Sequence, residues 1–197
     1  DGRQVIGGQR VLTASMPLRR AARLLHAGGV IAYPTEGVFG LGCLPDDPEA
    51  VLRLLDIKKR DPSLGLILIA ANAAQLDGWI RLPDGEHSLA SSAKHPVTWI
   101  VPAADGVPEW VRGAHAGIAV RITAHPVAAA LCEAAGMPLV STSANLSGHP
   151  PARNAWVVRR QFQNLVDFIV PGRCGPARGP SELRDLESGA VLRAATP

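Results

Sequence analysis

The stretch "HPVAAALCEAAGMPLVSTSANLSGHPPARN", His125 to Asn154, decides how this chain is read. His125 to Gly136 reads as a helix of small apolar residues. It closes on a glycine, the residue that enters the left-handed conformation at least cost. "MPLVS" reads as the buried strand that follows. At the strand's end stand Ser141, Thr142, Ser143 and Asn145, with Ser147 just beyond. Hydroxyls and amides there can cap a turn. So many short polar groups after a buried strand also need more hydrogen-bond partners than one turn offers, and a polar ligand would supply them.

The same alternation runs outward in both directions. "SMPLRRAARLLHA" (Ser15 to Ala27) has helical spacing, with Ser15 as a cap candidate. "VIAY" (Val30 to Tyr33) reads as a short strand stopped by Pro34. "PEAVLRLLDIKKR" (Pro48 to Arg60) is the clearest helix, capped by Asp46 or Asp47 and closed by Lys58, Lys59 and Arg60. "LGLILIA", "PVTWIVPA", "GIAVRI", "LVDFIV" and "GAVLRA" read as strands; "AAQLDGWI" and "NAWVVRRQFQ" read as helices. Apolar strands without polar alternation need cover on both faces. The expectation is therefore an α/β fold: a twisted open mixed sheet with flanking helices. It forms a single domain over residues 1–197, with its core at about 15–193. Leu82 to Pro96 and Pro171 to Ser181 read as surface loops.

Of the 197 residues, 47% are hydrophobic and 19% charged, enough apolar material for a core and too much for a disordered chain. Aromatics are only 4%, so that core is aliphatic. The formal net charge of +3 permits an anionic ligand or RNA without demanding one. Cys43, Cys132 and Cys174 are scattered, with no CxxC pair, which fits a reduced cytoplasmic compartment and gives no zinc site. No apolar run is long enough to span a bilayer, and "DGRQVIGGQR" lacks a signal-peptide core, so a soluble protein with no membrane partner is expected. There is no Ser-His-Asp ordering and no HExxH motif.

Open α/β sheets hold ligands at the carboxyl ends of their strands, and polar residues gather at four more places, at the ends of strands, at the end of a helix and in a loop. In "YPTEGVFGLG", Thr35 and Glu36 follow a strand directly. Gly37, Gly40 and Gly42 then make either a turn-rich connection or a loop whose amides approach a ligand. The order GxxGxG is not the dinucleotide fingerprint, and no P-loop is present. "KKR" at 58–60 fits pairing with the helix dipole, or phosphate binding with Lys58 as a point charge and Arg60 as a fork. Arg121 ends a buried strand and needs an anionic partner, structural or ligand. In "RCGPARGPSE", Arg173, Arg178 and Ser181 can reach an anion, or the arginines are simply solvated.

Taken together, "VIAYPTEGVFGLGC", "AVLRLLDIKKR", "GLILIAAN", "PVTWIVPA", "AVRITAHP", "PLVSTSANLSGHPP" and "PSELRD" resemble the threonylcarbamoyl-AMP synthase (TsaC/YrdC) family, in its short bacterial form. The resemblance runs in order over residues 15 to 193. It implies a YrdC-like twisted open sheet with a basic concave cleft. It implies a nucleotidyltransferase that makes threonylcarbamoyl-adenylate from L-threonine, bicarbonate and ATP with release of pyrophosphate. Downstream threonylcarbamoyl-transfer proteins would use that product to modify tRNA beside the anticodon. Carried over residue by residue, the family's KxR…SxN tetrad falls on Lys58, Arg60, Ser143 and Asn145, implied to act in catalysis and to hold ATP. Thr35, Arg121 and Ser141 match threonine contacts, and Ser181 and Arg178 match nucleotide contacts. Mg²⁺ would arrive with ATP, and no metal ligand from the protein is implied.

The chain departs from the family pattern at two points. "SAKHP" (Ser92 to Pro96) stands where "WPGP" is usual, after a shorter loop, and Leu64 stands where Lys or Asn is common. Two rival readings accompany the synthase. One is a non-catalytic module that binds tRNA or double-stranded RNA in the same basic cleft. The other is the related carbamoyl-adenylate chemistry of much longer hydrogenase-maturation proteins.

Overall fold

The computed structural model describes residues 15–82, 88–146 and 148–195. Ser147, the stretch before Ser15 and part of the loop after Leu82 lie outside the described residues. Helix α1 (Met16–His26) starts where expected, although the Ser15 side chain makes no capping bond. Strand β1 (Ile31–Pro34) takes in Pro34, which pairs in register with Phe39.

Strand β2 (Phe39–Cys43) is the largest departure from the sequence reading, which gave this segment to a glycine connection. Gly40 and Gly42 alternate with Phe39, Leu41 and Cys43, all three fully buried. A side chain at Gly42 would strike the Val140 carbonyl of the neighbouring strand and come within 2.9 Å of the Tyr33 ring. These glycines therefore record close packing within the sheet.

Helix α2 (Pro48–Lys58) is capped by Asp47, whose carboxylate accepts from the Ala50 amide at 3.0 Å. It stops where Lys59 turns left-handed at φ 48°, leaving Arg60 outside the helix. A 3₁₀ turn at Pro62–Leu64 shortens the next strand, β3, to Ile67–Ala70. "AAQLDGWI" forms only a 3₁₀ turn, Ala73–Leu76. Strand β4 (Val97–Pro102), a one-turn helix α3 (Glu109–Arg112), strand β5 (Gly117–Ile122) and helix α4 (Pro126–Ala135) follow. Strand β6 (Leu139–Ser143) and helix α5 (Ala155–Phe162) come next. The chain closes with β7 (Phe168–Ile169), β8 (Glu182–Asp185) and β9 (Val191–Arg193). Both α3 and β8 escaped the sequence reading. The first is too short to show a period, and the second is polar and only half-buried.

Among the described residues, nine strands form one mixed sheet in the order β7-β1-β2-β6-β3-β5-β4-β8-β9. β1–β7, β3–β5 and β4–β8 pair parallel, and the other neighbours pair antiparallel. Successive strand residues enter opposite cores. Val30, Ala32, Leu68 and Val140 pack with Val51 and Leu54 of α2 and Val158 and Phe162 of α5. Ile31, Tyr33, Ile69 and Leu139 pack with Leu25 of α1 and Leu131 of α4. Both faces are apolar because both are covered, which is why the central strands show no polar alternation. No described helix is long and apolar enough to cross a membrane.

Candidate active site

The ends of β1, β5 and β6 surround one cavity of about 160 Å³. Register explains the gathering. β2 sets Gly40 opposite Ser143 and Gly42 opposite Ser141, and β3 sets Ile69 opposite Arg121 and Ile67 opposite Ser141. Thr35, Arg60, Arg121, Ser141, Ser143 and Ser181 all line the cavity. Residues from five separate places in the sequence thus share one opening. Gly37 and Gly40 also line it, so the glycine segment serves the site from a turn and a strand rather than from a loop.

Lys58 and Asn145 stand just behind the wall. Lys58 Nζ donates to the Ser143 carbonyl at 2.7 Å, the Asn145 carbonyl at 2.6 Å and Asn145 Oδ1 at 2.8 Å. The Ser143 hydroxyl donates to the same Oδ1 at 2.7 Å. An ammonium has three N–H bonds, and here all three serve the segment that follows β6. The "STSAN" groups are therefore partnered in part by a lysine far away in sequence. Burial pushes Lys58 down to about 8, with the Arg60 charge adding to it.

Arg60 Nη2 donates to the Gly65 carbonyl at 2.9 Å. Burial and then the Arg193 charge lower its proton affinity, so these two guanidinium groups lie close enough to repel. Arg193 also lines the cavity and donates to the Ser181 carbonyl at 3.1 Å. Sequence reasoning placed residue 193 at the end of a strand but gave it no role. The signal was there: it is an arginine ending a strand, as Arg121 is. Arg178, by contrast, is exposed and not among the lining residues, and Arg173 is exposed too, with its carbonyl 2.9 Å from His125 Nε2.

The remaining walls are tied down by short bonds. The Thr35 hydroxyl donates to the Val38 carbonyl at 2.7 Å. The Ser181 and Thr98 hydroxyls are 2.7 Å apart. The 171–181 segment is fastened to the β1–β2 turn by the Gly175 amide on the Thr35 carbonyl at 2.9 Å. The unusual "SAKHP" segment brings Pro96 to the cavity, and Ser92 Oγ accepts from the His95 amide at 3.0 Å. Leu64 is 56% exposed and borders a second hollow of about 350 Å³. That hollow shares Arg60, Leu66, Ile67 and Arg193 with the first, and adds the apolar Ile100, Ala119 and Leu183. Among the described residues, no three His, Cys, Asp or Glu side chains gather as a metal site.

Fold and site together define an open-sheet α/β protein that collects arginines and hydroxyls at its strand ends, a chemistry suited to anions. The model of the Sua5/YciO/YrdC family, described as "Telomere recombination", matches residues 23–195, and the chain belongs to that family. The chain is 50% identical over 186 residues to a threonylcarbamoyl-AMP synthase of Alkalilimnicola ehrlichii, covering 92% of this chain and 97% of the relative. It is 46% identical to the threonylcarbamoyl-AMP synthase of Xanthomonas axonopodis pv. citri, covering 92% of this chain and all of the relative. Among solved structures, P. abyssi Sua5 complexed with L-threonine superposes with a TM-score of 0.80 at 28% identity. That match covers 90% of this chain, which spans only 54% of the P. abyssi protein.

Proposed function

We propose that the chain is a threonylcarbamoyl-AMP synthase, a nucleotidyltransferase that joins L-threonine, bicarbonate and ATP and releases pyrophosphate. The observation that carries this reading is the single cavity shared by Arg60, Arg121, Arg193, Ser141, Ser143 and Ser181. The names of the full-length relatives support it, as does the threonine held by the P. abyssi protein.

The chemistry needs no protein nucleophile. The amine of threonine takes up bicarbonate as a carbamate with loss of water, and a carbamate oxygen attacks the α-phosphorus of ATP. The bond to the pyrophosphate oxygen breaks, and pyrophosphate leaves. The protein's task is to hold two anions side by side and offset their charge. Arg121, Thr35 and Ser141 would take the amino acid. Arg60, Arg193, Ser181 and the Lys58-braced Ser143–Asn145 segment would take the triphosphate, which arrives as its Mg²⁺ complex. The neighbouring apolar hollow would accept the base. The product would then pass to proteins that transfer the threonylcarbamoyl group to tRNA.

The test is pyrophosphate release by the purified chain. It is expected only when ATP, threonine and bicarbonate are all present, with the adenylate as co-product. Lys58→Ala should lower the rate by about 2–4 kcal/mol of transition-state stabilisation. Release without threonine, or none under any condition, overturns the assignment; RNA binding without turnover would then favour the rival module.

A further inference from the structure

A buried carboxylate stands behind Arg121. Glu36 follows Thr35 in the β1–β2 turn and is 1% exposed. Its Oε1 accepts from the Thr123 hydroxyl at 2.8 Å and the Ala124 amide at 2.9 Å. Its Oε2 accepts no hydrogen bond and lies 3.7 Å from Arg121 Nη2. Burial alone would raise this carboxyl's proton affinity, but the Arg121 charge and the donated hydrogen bonds outweigh it, so Glu36 is an anion at neutral pH. Glu36 is not among the residues that line the cavity, so it acts only through its neighbour.

The other two arginines differ. Arg60 and Arg193 donate to the Gly65 and Ser181 carbonyls, and among the described residues no carboxylate lies within ion-pair distance of either. Among the described residues that line the cavity, none is an Asp or Glu. One cavity therefore holds two kinds of cation: a compensated one, Arg121, and an uncompensated pair, Arg60 with Arg193. A polyanion gains most where positive charge is unopposed. A single carboxylate can be held by a neutralised guanidinium through hydrogen bonds without a large net field.

We propose that Glu36 is a specificity-determining residue that sorts the two anionic reactants. By neutralising Arg121 it keeps phosphates off the carboxylate subsite and leaves them to Arg60 and Arg193. The identities of the two anions rest on the synthase reading; the sorting of carboxylate from phosphate does not. Without this device the triphosphate and the amino acid would compete for Arg121, and productive side-by-side binding would be lost.

The experiment is calorimetric titration of L-threonine into wild type and Glu36→Gln, each with and without saturating inorganic pyrophosphate. In wild type, pyrophosphate should leave the threonine affinity within about twofold. In Glu36→Gln it should weaken threonine at least tenfold, a shift of about 1.4 kcal/mol. Glu36→Asp should restore the wild-type pattern by returning the charge. Thr123→Val, which removes a hydrogen bond but no charge, should not create competition; a purely architectural role for Glu36 would make it do so.

If Glu36→Gln does not fold, Glu36→Gln/Arg121→Gln removes both buried charges together. That double variant should bind pyrophosphate within about twofold of wild type while losing threonine. Unchanged threonine affinity in Glu36→Gln under pyrophosphate, or a tenfold loss of pyrophosphate binding in the double variant, overturns the sorting. If wild type binds no threonine, the synthase reading falls. Pyrophosphate affinity, expected to rise at least tenfold in Glu36→Gln, still decides the sorting.

Discussion

The cavity has two walls of different construction. One comes from the centre of the sheet, from β1, β2, β5 and β6, where Arg121 is 8% exposed and Glu36 and Ser141 are buried as well. The other comes from the β8–β9 edge, where Val191 and Leu192 are exposed and Arg193 is held by a single bond to a carbonyl. At the centre, function and stability share the same atoms, because a buried charge without its partner is costly. At the edge a side chain can be removed with little effect on the fold, because solvent already reaches it.

The sharpest way to break this contrast is Arg121→Ala. It strands Glu36 as an unpaired buried charge and should cost about 3–5 kcal/mol of stability, read as a lower urea midpoint, with threonine binding abolished. Stability within error of wild type would show that the centre is no more coupled than the edge. Arg193→Ala should behave oppositely. Stability should stay within about 0.5 kcal/mol of wild type, as for a surface change. The KM for ATP should rise about tenfold, close to 1.4 kcal/mol, with the KM for threonine unchanged. Equal shifts in both KM values would erase the division of the cavity.

The smallest effect concerns the charge of Lys58, which stands behind the wall and braces the Ser143–Asn145 segment. Its ammonium loses its proton at about pH 8. Below that value the charge is present, and above it the charge is lost. ATP affinity by calorimetry should therefore weaken as pH rises through about 8. Lys58→Arg, whose guanidinium does not titrate in this range, should flatten the profile. The same pH dependence in the arginine variant would remove Lys58 as its source.

Much of this was legible before any coordinates. The start of α2 at Asp46 or Asp47, the glycine closing α4 and the polar end of β6 all follow from local rules that need only near neighbours, whereas the left-handed Lys59 ends α2 two residues before the expected Arg60. What failed was equally specific. β2 was hidden because its glycines signal a turn in one dimension and close packing in two. β8 was hidden because a half-buried polar strand has no apolar signature.

The sequence by itself determined the alternation of helix and strand, the aliphatic two-faced sheet and the residue types gathered at strand ends, because periodicity, capping and burial are local properties of the chain. Only the tertiary structure decided that Lys58 spends its donors on the Ser143–Asn145 segment, that Arg193 joins Arg60, and that Glu36 neutralises Arg121 alone. These pairings span up to 133 residues, the separation of Arg60 and Arg193, and depend on sheet register. No local rule fixes which charges meet when distant strands come to lie side by side.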